Sequence, residues 1–222
     1  MGPLKRNAVA TAVLLAFALA AAAAGPADEV ARALKAALEQ GSRKAVASLG
    51  KPDGFFKNAD VHIPLPAGLK RIERGLRAVG QGRYADEFEL TINRAAEAAM
   101  PEARDVLVKA VSRMTLSDAR DILRGADDAA TSYFRKKSAG ELRERLLPIV
   151  KDATRKTGVT QRYETFVRKA GPVAVFLKAP DLDGYVCDKA LEGLFLMIAR
   201  EEKEIRKNPA ARATALLRKI FG

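Results

Sequence analysis

The sequence predicts an all-α fold: one multi-helix domain of about eight to ten helices behind an N-terminal signal peptide. Three observations carry this. Apolar residues recur at helical spacing almost throughout. No credible strand is visible beyond a few extended residues near Val61 to Leu65. The run LFLMIA, Leu194 to Ala199, places six apolar residues in succession on a helix. At about 100° per residue six positions cover the full circumference, so the helix near 182–207 should be buried all round and central.

The elements follow in chain order. MGPLKRN is short and basic, AVATAVLLAFALAAAAAG is apolar and Ala-rich, and Ala22-Ala23-Ala24 offers small residues for cleavage. This is the layout of a secretory signal peptide over residues 1–24, leaving residues 25–222 as a single helical domain. An uncleaved anchor is the alternative, but its apolar run of roughly 17 residues sits at the lower edge of a span. No later stretch is long and apolar enough to cross a membrane. In the first helix Val30, Leu34, Ala37, Leu38, Ala45 and Leu49 share a face. GKPDGFFKNADVHIPLPAG, residues 50–68, then forbids regular helix, and IPLP should be extended. Leu69, Ile72, Leu76 and Val79 line the next helix, which Gly80 and Gly82 end. A further helix is expected from about Asp86 to Ala99, and Pro101 should open a separate one at its first turn. Thr115 with Asp118, and Ser138 with Glu141, match the capping-box pattern at two helix starts. Asp127 and Asp128 stand where a helix begins and should cap it. Pro148 should kink the helix around it. A shorter helix follows Gly158, and Gly171-Pro172 breaks the chain. The long helix from Leu182 to Lys207 stops at Asn208-Pro209, and a last helix should cover residues 209–221.

Lys and Arg number 39 against 27 Asp and Glu, a net charge of +12. Loss of Lys5 and Arg6 with the signal leaves +10. Such a balance favours anionic partners. In an exported protein these are anionic lipid, lipopolysaccharide or a cell-wall component, and no nucleic acid is expected. The lone cysteine, Cys187, excludes an internal disulfide, so stability must come from packing, which this length permits.

KPDGFF, IPLP, FELTINRAAEAAMPEA, DDAATSYFRK, GLFLMIAREEKEIRKNPAAR and the closing LLRKIFG together resemble a bacterial family of exported proteins, domain of unknown function 4197. The resemblance spans essentially the whole chain after the signal. It implies a Gram-negative, periplasmic protein, and it brings no activity and no site residues.

The candidate residues must therefore be weighed by chemistry. Glu89, Asn93 and Glu97 lie four apart, stacked on one helical face beside the core stripe of Phe88, Ile92, Ala95, Ala96 and Ala99. Such a row can serve as a polar site, and as a structural boundary it should pair with Arg or Lys from a neighbouring helix. A di-metal bundle needs Glu-x-x-His pairs, and the only histidine is His62, in the Pro-rich loop, so no metal and no cofactor is expected. His62 and Cys187 could form a nucleophilic pair, but His62 reads better as a packed ring bonding backbone and Cys187 as a small buried hydrophobe. Asp188 and Glu192 stand one turn apart before LFLMIA, at the edge of the buried zone. Lys70, Arg74 and Arg77 follow the helix period opposite Leu69, Ile72, Leu76 and Val79, with Arg71 to one side. This is the candidate anionic-partner face, with Arg135-Lys136-Lys137 next. No P-loop, G-x-G-x-x-G, G-x-S-x-G, H-E-x-x-H or C-x-x-C occurs, and no catalytic residue is assigned.

The leading expectation is a non-catalytic periplasmic binding or interaction protein. The alternatives are a carrier of an apolar ligand in a helical cavity, and an enzyme using Asp188, Glu192 or the Glu89/Glu97 row. N-terminal sequencing of the protein from an envelope fraction should begin near Gly25. An intact Met1 in a cytoplasmic pool would refute export.

Overall fold

A computed structural model describes residues 26–171 and 180–207. The signal segment and the helix expected over 209–221 lie outside the described residues. Within them the chain is helical, with no strand, and packs as one domain. Seven α-helices are present: α1 Pro26–Leu49, α2 Lys70–Ala78, α3 Arg83–Arg113, α4 Leu116–Arg124, α5 Ala129–Thr157, α6 Val159–Ala170 and α7 Leu182–Lys207. A 3-10 turn, Ala67–Leu69, leads into α2. Val61 to Leu65 is irregular, without strand pairing.

Among the described residues the count is one lower than expected because of Pro101. The expected break there does not occur, and α3 runs through the proline to Arg113. Proline removes one helical N–H and should interrupt the helix. Here Ala99, Met100 and Ala103 are buried on either side of it, so packing holds the helical course while the proline ring itself faces outward. A local preference has lost to tertiary burial.

This long helix is the hub. It packs against α1, α2, α5, α6 and α7. Its buried face carries Ala85, Ala95, Ala96, Ala99 and Ala103 beside Phe88, Ile92, Met100 and Leu107. The alanines let neighbouring helices approach closely, and the larger side chains fill the gaps between them. Phe88 meets Phe166 and Tyr163 of α6, with ring centroids 5.5 and 5.8 Å apart. The expectation of a helix at 182–207 buried all round needs correcting. Leu194, Phe195 and Ile198 are buried, but Leu196 is 39% exposed. α7 packs on α1, α3 and α5 and keeps an outer stripe of Glu192, Leu196 and Arg200.

Two capping expectations also fail. Ser138 and Glu141 lie inside α5, where the Ser138 hydroxyl donates to the Phe134 carbonyl at 2.6 Å. The S-x-x-E pattern marks a helix start only where the preceding chain is not already helical. Asp128 precedes α5 but gives it no side-chain cap, and Asp127 pairs with Lys207 at 2.7 Å. Glu202 of α7 supplies the cap. Its carboxylate accepts the Ala130 and Thr131 amides and the Thr131 hydroxyl, each at 2.9 Å. Those are first-turn amides that no helical carbonyl can reach. The Thr115–Asp118 box forms as expected.

Urea denaturation separates the two sides of α7. Leu194→Ala and Ile198→Ala should each cost about 2–5 kcal/mol, whereas Leu196→Ala should stay within about 0.5 kcal/mol. Equal losses at all three positions would contradict the outer stripe.

Candidate functional site

The Glu89–Asn93–Glu97 row is bonded to the protein's own loop. It faces residues 50–66, a proline-rich stretch whose backbone cannot satisfy itself in helix or sheet. Asn93, fully buried, accepts the Ile63 N–H at 2.9 Å and donates to the Ile63 carbonyl at 2.8 Å. Glu97 accepts the Phe55 and Phe56 amides at 3.0 and 3.1 Å through one oxygen. Its other oxygen takes Arg94 at 2.6 Å. Arg94 also reaches Asp53 at 2.6 Å and lies 5.8 Å over the Phe56 ring. Glu89 stands 2.6 Å from His62 Nε2. The partners expected from neighbouring helices are therefore replaced by loop backbone, the loop histidine and an arginine one turn away on the same helix.

His62 bonds backbone as its sequence setting suggests, with Nδ1 2.8 Å from the Phe56 carbonyl. A carbonyl oxygen only accepts, so Nδ1 carries a proton. With Nε2 on Glu89, both ring nitrogens are engaged. Cys187 is buried and its thiol lies 4.0 Å from the Arg143 carbonyl, its one acceptor among the described residues. Burial, reinforced by nearby Asp188, pushes its thiol up to about 11, far from the thiolate a nucleophile needs. No hydrogen bond joins the two residues.

Asp188 and Glu192 are exposed and paired, Asp188 with Arg143 at 2.7 Å and Glu192 with Lys189 at 2.6 Å. Glu192 and His62 line one cavity of about 220 Å³, where residues 60–64 of the loop meet α7. Gly193 sits at that junction. A Cβ there would lie 2.8 Å from the Phe55 ring, so the loop seats directly on the α7 backbone. Among the described residues no group of three or more His, Cys, Asp and Glu side chains is arranged to hold a metal ion.

A family model described as "Protein of unknown function (DUF4197)" matches residues 25–222. The chain belongs to this family. No curated protein and no solved structure matches it.

In this DUF4197 chain the basic face of α2 remains as the open surface. Leu69, Ile72 and Leu76 are buried, while Lys70, Arg71, Arg74 and Arg77 are exposed on the opposite side. The four cations are not equivalent. Arg77 is held by Glu73 at 3.0 Å and Asp86 at 2.7 Å. Lys70, Arg71 and Arg74 make no ion pair among the described residues. Val79, expected in the apolar stripe, is 67% exposed. The helix ends at Ala78, so Val79 stands beyond its last turn, and Gly80 then turns left-handed at φ 73°. Beside it a groove of about 350 Å³ between α2 and the end of α6 is lined by Arg71, Ile72, Leu76, Val79 and Lys169. Among the described residues no helix is long and apolar enough to cross a membrane.

Sequence reasoning located the polar row but missed what it binds. The signal was available: three hydrogen-bonding side chains at helical spacing, and a Pro-rich stretch whose backbone groups need partners. Replacing Asn93 with Leu tests this directly. It orphans the buried Ile63 N–H and carbonyl, and roughly 1–3 kcal/mol should be lost for each. Thermal or urea unfolding reads the loss, and an unchanged midpoint would mean the loop is held elsewhere.

Proposed function

We propose that the protein is a non-catalytic component of the bacterial envelope, exported to the periplasm, that docks on anionic lipid through α2. One observation carries this reading: Lys70, Arg71 and Arg74 project from one exposed face and make no ion pair among the described residues, next to the exposed Val79. Cations beside an accessible apolar residue match a lipid surface, where phosphates lie above acyl chains. Support over the enzyme reading comes from the buried acids, since Glu97 and Glu202 are both occupied by backbone amides and arginine. Support over the carrier reading comes from the interior, where Phe55, Phe88, Phe134 and Phe166 are fully buried in one continuous core.

The triple variant Lys70→Glu, Arg71→Glu, Arg74→Glu removes no buried contact. Its thermal midpoint should stay close to that of the wild type. Each basic group near an anionic membrane contributes about 1 kcal/mol, so loss of three should weaken binding to phosphatidylglycerol vesicles by at least about a hundredfold. Salt should weaken the wild type in the same direction. Vesicle co-sedimentation measures both. Wild-type protein that ignores these vesicles at low salt, or a triple variant that binds equally well, would end the lipid-docking reading.

A further inference from the structure

A second basic-rimmed surface lies elsewhere on the molecule. An open trough of about 530 Å³ runs between the C-terminal part of α1 and the middle of α3. Val46, Ala47, Gly50 and the Pro101 ring form its apolar lining, and Arg43, Lys51 and Arg104 its cations. It shares no lining residue with the α2 groove. The volume falls within the roughly 300–1,000 Å³ of small-molecule sites.

The cations differ in availability. Arg43 is held by Glu39 on its own helix. Lys51 and Arg104 are both exposed and make no ion pair among the described residues. One follows the end of α1 and the other stands on α3, so they approach the apolar lining from opposite walls. An occupant must therefore carry negative charge at the rim and apolar surface along the floor. The hydrated rim cations favour an anionic group over a neutral one, and the floor gains only from burial.

We propose that this trough binds a single-chain lipid ending in a phosphate, with the phosphate between Lys51 and Arg104 and the chain over Val46, Ala47, Gly50 and Pro101. A phosphate monoester carries up to two negative charges, matching the two uncompensated cations, and a guanidinium can pair with two of its oxygens. A peptide fits less well. The walls are helical and present no strand-like row of backbone donors and acceptors, so an extended peptide would leave its own amides without partners. An acyl chain has no such groups. The proposal is independent of α2 docking, because the two surfaces use different residues.

Dodecyl phosphate, kept below its micelle concentration, is the probe, titrated into the full chain by calorimetry with native mass spectrometry for stoichiometry. One molecule should bind per chain. Lys51→Glu with Arg104→Glu should weaken binding at least tenfold. Ala47→Phe, a change at an exposed position that fills the trough, should do the same. Neither variant should move the thermal midpoint, and the α2 triple variant should bind as the wild type does. Inorganic phosphate and dodecyl maltoside should each bind at least tenfold more weakly. Phosphate binding as tightly as the probe would make this a simple anion site, and equal maltoside binding would make it an apolar groove alone. Tighter capture of an acidic peptide, no binding of the probe, or full binding by Ala47→Phe would each overturn the proposal.

Discussion

The fold depends on how residues 50–66 are held. This stretch joins α1 to α2, and it has neither helix nor sheet to absorb its backbone groups. Yet Phe55, Val61, Ile63 and Leu65 are all buried. Burying those side chains drags their amides and carbonyls out of water, and each unpaired group would cost as much as the side chain gains. Asn93 and Glu97 remove that cost at Ile63, Phe55 and Phe56. An asparagine serves at Ile63 because it can donate and accept at once. A carboxylate serves at Phe55 and Phe56 because two donors point at one place. With the loop so fixed, Phe55 reaches Gly193 of α7, and Tyr185 of α7 donates to the Pro64 carbonyl at 2.8 Å. The loop thus ties α3 to α7 through its own backbone.

Glu202 repeats the device at the other end of α7. It caps α5 across a separation of 71 residues in sequence from Thr131 and is itself held by Arg206 at 2.9 Å. In both places a carboxylate less than a tenth exposed meets two backbone amides and one arginine. Neither group is an ion pair buried for its own sake, which would gain little against desolvation. Each compensates amides that must be buried for other reasons. Burial alone does not distinguish such an acid from a catalytic one. Here the partners of both acids are backbone amides and an arginine.

Helix periodicity survives translation into three dimensions because it reports burial directly. The sequence pattern gives the bounds of α7 and of the helix after Gly158 almost to the residue, and the apolar stripe of α2 holds except at its last member, Val79. What local pattern could not supply was competition between distant parts of the chain. Pro101 breaks a helix in isolation, and here the buried alanines around it overrule the break. Ser138 and Glu141 satisfy a capping rule with no helix end for the cap to serve. Asp128 sits in the proper place to cap α5, but Glu202 arrives from another helix and takes the amides. Leu196 is apolar and lies in an apolar run, yet only assembly decides which side of α7 faces out. Likewise the Glu89–Asn93–Glu97 row was legible as polar and aligned, while its partner was a loop nearly thirty residues or more away in sequence.

Charge is the property that folding cannot resolve. Each ion pair removes one cation and one acid together, so pairing leaves the net +12 of the chain unchanged. Some acids are shared, and others are taken up by backbone. Asp53 takes both Lys57 and Arg94, Asp152 takes both Arg155 and Lys156, and Glu97 and Glu202 are committed to backbone. These arrangements hold Asp53 and Asp152 below the usual carboxylate range, chiefly through hydrogen bonds from Lys57 and from Lys156 respectively. Uncompensated cations must then stand somewhere on the surface, and their mutual repulsion opposes the compact state. Solubility alone would be served by cations interspersed with acids on polar surface. Instead Lys70, Arg71 and Arg74 stand beside exposed Val79, and Lys51 and Arg104 border an apolar trough. The proposed anionic amphiphile would cover that apolar surface and pair with those cations at once.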